Sequence, residues 1–152
     1  MAEPSSPETS PRSRRVMIVF CLAIILLGLL LRRFGPGLGL PFGVVKYGGS
    51  LLWGTMVYAL LAVIAVRRPA AQLAALAALI ALSVELFRLW HTPWLDAFRL
   101  TTPGALLLGR VFSPWNLVAY GAGIGLGWGV DRLLRQEGAS CPRDARSGNA
   151  SR

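Results

Sequence analysis

The chain consists of long apolar blocks separated by short polar or basic segments. The apolar blocks cover residues 16–31, about 47–66, about 69–90 and about 114–134. A helix that crosses the hydrocarbon core of a membrane needs about 20 mostly apolar residues, because each residue adds only about 1.5 Å of length. The pattern therefore predicts an all-α, polytopic membrane protein built as a bundle of four transmembrane helices.

The segments between the blocks predict two turns and one irregular connection. Residues 34–43 are rich in glycine and proline and predict a loop, whereas residues 67–69 form a tight basic turn that ends in proline. Residues 91–112 mix charged and aromatic side chains with a short apolar run, and they are too charged to span. They predict an interfacial or re-entrant segment between the third and fourth helices. Ser113 and Pro114 then predict a helix start, because serine caps helices and proline suits their first position.

The two ends of the chain have compositions that cannot form a buried core. Residues 1–13 are rich in serine, proline and glutamate, and they predict a disordered tail. Residues 136–152 are polar and basic without periodicity, and they predict a second disordered tail. The transmembrane domain is therefore expected to cover residues 14–135.

Composition and charge agree with a membrane location. The chain is 54% hydrophobic and only 15% charged, whereas soluble domains have about 25% charged residues. A net charge of +9 would favour nucleic-acid binding in a soluble protein. Here the basic residues lie mainly beside the apolar blocks, where they set the topology and contact anionic lipids. Membrane lipids, and no nucleic acid, are the predicted partners.

The basic residues also predict an orientation. With four alternating helices, ten arginines fall on the side of both tails and six basic residues fall on the other side. The positive-inside rule places the richer side in the cytoplasm. Both termini are therefore predicted to be cytoplasmic.

Glycine occupies every second position from Gly121 to Gly129 in the fourth block. On a helix this spacing gives two adjacent stripes, one with Gly121, Gly125 and Gly129 and the other with Gly123 and Gly127. Both have the small-residue spacing that lets another helix approach closely. We expect Gly125 to pack against another helix of the same chain.

Polar side chains gather at the predicted outer ends of the third and fourth helices. Glu85 and Arg88 are three residues apart and share one helix face. Each alone would cost roughly 2.5 to 3.5 kcal/mol at the centre of a membrane, which favours a pair. The candidate residues of an outward-facing polar pocket are Glu85, Arg88, Asp96, Arg99, Arg110, Asn116 and Tyr120.

A structural role is the alternative for these residues. The Glu85–Arg88 pair would then tie the third helix to the interfacial segment, and Tyr120 would belong to an aromatic belt. One histidine, His91, and two separated cysteines do not form a standard metal site. The sequence motifs of phosphate loops, serine hydrolases and zinc proteases are absent. No metal or cofactor is predicted, and no catalytic residue is assigned.

Several short motifs in order resemble the bacterial domain of unknown function 2809 family, whose layout is similar to that of the VanZ-like envelope proteins. The resemblance covers roughly residues 16–134. Its motifs are residues 49–53 (GSLLW), 85–88 (ELFR), 94–99 (WLDAFR), 104–109 (GALLLG) and 120–123 (YGAG). The resemblance implies a small multi-pass protein of the bacterial inner membrane and cell envelope, without an established activity.

This chain departs from the family pattern at three positions. Ser50 and Asn116 stand where the family tends to have aspartate, and Arg88 stands where it tends to have glutamine. Shared acid–base chemistry is therefore disfavoured. Binding of an anionic group by Arg88, Arg99 and Arg110 is favoured, because guanidinium groups match phosphate and carboxylate oxygens.

Three classes of function fit these features. The first, which we favour, is a non-enzymatic envelope protein whose outer pocket binds an anionic lipid or a cell-wall precursor. The second is a small membrane enzyme acting on a lipid-linked substrate, with Glu85 or Asp96 as general base. The third is a transporter or channel subunit, for which four helices are few and no inverted repeat is visible.

Overall fold

A computed structural model describes residues 13–90, 92–101, 103–104 and 113–139, and in these residues all regular structure is helical. A short 3₁₀ turn, Pro36–Leu38, follows the first helix. The α-helices are α1 (Arg14–Phe34), α2 (Phe42–Ile64), α3 (Ala70–Phe87), α4 (Pro93–Leu100) and α5 (Pro114–Ala139).

Proline marks the start of four helices. Pro41 and Pro69 directly precede α2 and α3, and Pro93 and Pro114 are the first residues of α4 and α5. Proline fits there because the first amides of a helix have no acceptor within it. The start of α5 at Pro114 confirms the prediction from the sequence.

The helices alternate in direction along the chain, with α2 at the centre of the bundle. α2 packs against α1, α3 and α5, and α5 also packs against α3. The Arg14 Nε–H donates to the Val63 carbonyl oxygen at 3.1 Å, which joins the start of α1 to the end of α2. The bundle therefore has one end near α4, called here the α4 end, and an opposite end where α1 and α3 begin.

Small residues fill much of the bundle core. Ala59, Ala62 and Ala77 are completely buried, and Tyr58 and Leu73 are the large residues packed with them. In contrast, α1 buries only Met17 and Cys21 and exposes most of its leucine, isoleucine and valine side chains. Apolar side chains exposed around a whole helix are typical of a surface that faces lipid.

Glycines bring α2 and α5 into close contact, although Gly125 is not among them. A Cβ at Gly123 would collide with the Leu51 carbonyl oxygen, and one at Gly127 would lie 2.9 Å from Tyr58 Cδ1. Gly125, expected to pack against a helix, has only open space beside it. That expectation was wrong, because both stripes have the same spacing and only the rotation of α5 decides which one is buried.

Three helices are long and apolar enough to cross a membrane, namely α1, α2 and α3. This supports the membrane-protein class and three of the predicted spans. α5 has 26 residues, but its glycines and charged residues make it less apolar, so the fourth span stays a prediction.

Two predicted boundaries were wrong. α2 begins at Phe42, within the predicted loop, because Pro41 starts a helix that the glycines and Lys46 do not break. α5 continues to Ala139, so the first four residues of the predicted disordered tail are helical. Residues 1–12 and 140–152 lie outside the described residues.

Candidate functional site

Glu85 and Arg88 form an ion pair at the end of α3, as their spacing predicts. Arg88 Nη1 donates to Glu85 Oε2 at 2.5 Å. The Glu85 side chain is completely buried and that of Arg88 is 9% exposed. A charge in such a position is costly unless a partner neutralises it, so each residue supports the burial of the other.

The start of α5 completes the hydrogen bonding of this pair. Glu85 Oε1 accepts hydrogen bonds from the backbone N–H of Ser113 at 2.7 Å and from Asn116 Nδ2 at 3.2 Å. Arg88 Nη2 donates to the Tyr120 hydroxyl oxygen at 2.9 Å. The pair therefore joins the end of α3 to the first two turns of α5. A negative side chain at this position is also stabilised by the helix dipole of α5.

α2 contributes the third side of the cluster. The Ser50 hydroxyl lies 3.3 Å from Asn116 Oδ1 and 3.2 Å from the Lys46 carbonyl oxygen, so it donates to either. The rings of Trp53 and Tyr120 pack with their centroids 4.9 Å apart. We call Glu85, Arg88, Ser50, Asn116 and Tyr120 the Glu85 cluster.

The geometry of the Glu85 cluster favours charge neutralisation over proton transfer. Both carboxylate oxygens of Glu85 accept hydrogen bonds from protein donors. Asn116 and Tyr120 are 4% and 3% exposed, so the cluster is enclosed. A general base must come within hydrogen-bond distance of a substrate proton, and Glu85 can do so only if these donors move away.

The structure brings together four of the seven candidate residues predicted from the sequence. These four are Glu85, Arg88, Asn116 and Tyr120. Asp96 lies half-buried in the first turn of α4, and Arg99 lies one turn further along that helix. The side chain of Arg99, like His91 and Arg110, lies outside the described residues. The participation of Asp96, Arg99 and Arg110 stays a prediction.

A second buried carboxylate, which the sequence pattern did not lead us to expect, lies near the other end of α5. Asp131 is completely buried and accepts a hydrogen bond from the Tyr58 hydroxyl at 2.8 Å. Arg135 Nε lies 3.4 Å from Asp131 Oδ1. We call Tyr58, Asp131 and Arg135 the Asp131 cluster. The i, i+4 spacing of Asp131 and Arg135 was a usable signal, but their position beside the basic tail resembled an ordinary helix end.

Within the part of the chain that the structure describes, His, Cys, Asp and Glu side chains do not converge in groups of three or more that could hold a metal ion. The two buried carboxylates, Glu85 and Asp131, each have an arginine as their charged partner instead.

Comparison with known families settles the relationship suggested by the short motifs. The family model described as protein of unknown function (DUF2809) matches residues 40–124, which is more than half of the chain. The chain belongs to the DUF2809 family. The predicted resemblance is thus confirmed. No solved structure matches this DUF2809 chain.

The DUF2809 match divides the two polar clusters. Residues 40–124 contain every member of the Glu85 cluster. Of the Asp131 cluster they contain Tyr58 alone, because Asp131 and Arg135 lie beyond the matched region. The Glu85 cluster is therefore the candidate for a property of this family, whereas the Asp131 cluster is argued from this chain alone.

Proposed function

We propose that this DUF2809 protein crosses the bacterial inner membrane four times, with α5 as the fourth span and both termini in the cytoplasm. Contacts along α5 support this arrangement, because α5 runs parallel to α2 from the Ser50–Asn116 contact to the Tyr58–Asp131 contact. A helix of 26 residues is about 39 Å long, whereas the hydrocarbon core is about 30 Å thick. The excess of arginines beside the termini supports the orientation.

Reporter fusions test this topology. A reporter active only in the cytoplasm, fused after Arg152, should be active, and one fused between α3 and α4 should be silent. A periplasmic reporter should give the reverse pattern at both places. Activity of the periplasmic reporter after Arg152 would contradict the fourth span or the orientation.

We further propose that the α4 end binds an anionic group of a membrane lipid or lipid-linked envelope precursor, without catalysing a reaction. The observation that carries this proposal is the neutralisation of Glu85 by Arg88 inside the bundle. With this pair removed from the balance, the α4 end has one acidic residue, Asp96, and five basic ones. These are Arg32, Arg33, Lys46, Arg99 and Arg110.

The hydrogen bonds of Glu85 support binding over catalysis. A general base needs a lone pair directed at the substrate, and the oxygens of Glu85 face Arg88, Ser113 and Asn116. Arginine guanidinium groups form paired hydrogen bonds with phosphate and carboxylate oxygens. Arg99 and Arg110, which flank the interfacial region on either side in the sequence, are the residues proposed to hold the anionic group.

Lipid binding to the purified protein tests the proposal. Native mass spectrometry would compare phosphatidylglycerol, a polyprenyl phosphate and phosphatidylcholine as added lipids. We expect both anionic lipids to be retained over phosphatidylcholine. Arg99→Gln with Arg110→Gln should weaken this retention at least tenfold, since each arginine near a membrane surface contributes about 1 kcal/mol.

The matched control is Arg32→Gln with Arg33→Gln, which removes the same charge from the end of α1. This control should retain most of the binding. An equal loss in both double variants would show general attraction to a positive surface and would contradict a site. A preference for the polyprenyl phosphate over phosphatidylglycerol would identify an envelope precursor as the ligand.

A further inference from the structure

Two nitrogen donors near the end of α5 are enclosed by the protein without an acceptor among the described residues. They are Trp128 Nε1 and Arg135 Nη2. An enclosed N–H group without an acceptor is costly, and native proteins seldom leave one unpaired. Two such donors on one helix indicate that an acceptor from outside the chain binds there.

The two donors share one face of α5 with a third cationic residue. Trp128, Arg132 and Arg135 have the i, i+4, i+7 spacing that places side chains above one another on a helix. The guanidinium carbon of Arg132 lies 4.2 Å from the centroid of the Trp128 ring. Arg132 is exposed, and the Arg135 side chain is 15% exposed. We call these three residues the Trp128 face.

The charge of this region favours an anionic acceptor. Asp131 lies next to the Trp128 face in sequence, but its carboxylate is completely buried and bonds to Tyr58 of α2. Arg132 and Arg135 together exceed this single negative charge by one. Guanidinium groups and an indole N–H are suitable donors for the oxygens of a phosphodiester.

A row of glycines beside the Trp128 face favours a lipid over a free ion. Gly121 and Gly125 precede Trp128 and Arg132 by seven residues, or about two helical turns, so they lie on the same face. Both glycines have open space where a side chain would lie. This row is a shallow groove in the apolar part of the bundle, with the width for one acyl chain, and it leads to the donors.

We propose that the end of α5 binds one anionic phospholipid of the surrounding membrane. Its phosphate accepts hydrogen bonds from Trp128 Nε1 and the two arginines, and an acyl chain lies along Gly121 and Gly125. Basic sites between transmembrane helices commonly hold anionic headgroups. The site lies at the end of the bundle opposite to α4 and does not depend on the function proposed above.

Native mass spectrometry with phosphatidylglycerol and phosphatidylcholine of equal chain length tests this site. We expect the protein to retain phosphatidylglycerol preferentially. Arg132→Gln should weaken its binding about fivefold, because one interfacial arginine contributes about that factor. Trp128→Phe keeps the aromatic ring but removes the N–H group, and it should weaken binding about threefold. Neither residue belongs to the Asp131 pair, so both variants should fold.

Two further variants test the acyl-chain groove and the specificity of the arginines. Gly125→Leu fills open space, so it should leave folding intact and weaken phosphatidylglycerol binding by blocking the groove. Arg67→Gln, in the exposed turn at the same end, should bind the lipid as the unmodified chain does.

Three results would overturn the proposal. The first is equal retention of the two lipids. The second is unchanged binding in both Arg132→Gln and Trp128→Phe, or an equal loss in Arg67→Gln. The third is full competition by inorganic phosphate together with normal binding in Gly125→Leu, which would assign the donors to a free ion.

Discussion

The Glu85 cluster and the Asp131 cluster both bury a carboxylate completely, but they join different helices. In each cluster an arginine of the same helix neutralises the carboxylate, three residues away in α3 and four residues away in α5. A neighbouring helix then adds neutral polar groups. For Glu85 these come from the start of α5, and for Asp131 the Tyr58 hydroxyl comes from α2.

The two clusters differ in how tightly the arginine is held. Arg88 lies 2.5 Å from Glu85 and also bonds to Tyr120, whereas Arg135 lies 3.4 Å from Asp131 and has one enclosed nitrogen without a described acceptor. The comparison teaches that neutralising a buried acid can leave the cation closed or available. The Glu85 cluster is a closed connection between helices, and the Asp131 cluster keeps binding capacity at its edge.

Breaking the Glu85–Arg88 pair should have the largest effect. Glu85→Gln or Arg88→Met alone leaves an uncompensated buried charge, and such changes commonly cost about 3–5 kcal/mol. The double variant should recover most of this loss, because it leaves no charge behind. Free energies of unfolding in mixed micelles, combined in a double-mutant cycle, measure the coupling. Additive losses would contradict a closed pair.

Removing one hydroxyl from each cluster should separate the two further. Tyr58→Phe deprives the buried Asp131 of a short hydrogen bond and should cost about 1.5–3 kcal/mol, as for hydrogen bonds to charged groups. Tyr120→Phe should cost less, because Arg88 keeps its close bond to Glu85. Unfolding free energies of both variants test the difference. Equal losses would show that the longer Arg135–Asp131 distance has no energetic meaning.

The contact between α2 and α5, which lies between the clusters, should distinguish the two glycine stripes. Gly123→Ala places a methyl group against the Leu51 carbonyl oxygen and should cost about 1–3 kcal/mol through overpacking. Gly125→Ala meets open space and should be neutral or stabilise the helix by up to about 1 kcal/mol. Thermal unfolding of both variants in detergent compares them directly. Equal destabilisation would mean that α5 is rotated differently.

The smallest effect is expected at the edge of the Glu85 cluster. Ser50→Ala removes a hydroxyl that has acceptors on both Lys46 and Asn116. A typical neutral hydrogen bond contributes about 0.5–1.5 kcal/mol, and the half-buried position of Ser50 places it in the lower part of this range. A loss as large as that of Glu85→Gln, measured in the same micelles, would show that α2 is essential to the cluster.

Local sequence patterns predicted the parts of this fold that depend on local rules. Apolar length predicted α1, α2 and α3, and the i, i+3 spacing predicted the Glu85–Arg88 pair. The convergence of Asn116 and Tyr120 on that pair also followed from sequence, because alternating helices bring the end of α3 beside the start of α5.

Features that depend on helix rotation could not be predicted in this way. Both glycine stripes of α5 satisfy the same spacing rule, and packing against Leu51 and Tyr58 decides between Gly123 and Gly125. The partnership of Tyr58 with Asp131 crosses 73 residues of sequence, and an aromatic residue in an apolar block gives no sign of such a partner. The closed state of the Glu85 cluster likewise arises only when three helices meet.

The limited apolar character of α5 has a consequence for how the protein is made. Its polar groups find partners on α2 and α3, which leave the ribosome earlier. A segment with a carboxylate at Asp131 enters lipid at high cost on its own, but beside Tyr58 and Glu85 it gains acceptors and donors at once. We therefore expect α5 to enter the bilayer only after α2 and α3, so that the order of synthesis is also the order of assembly.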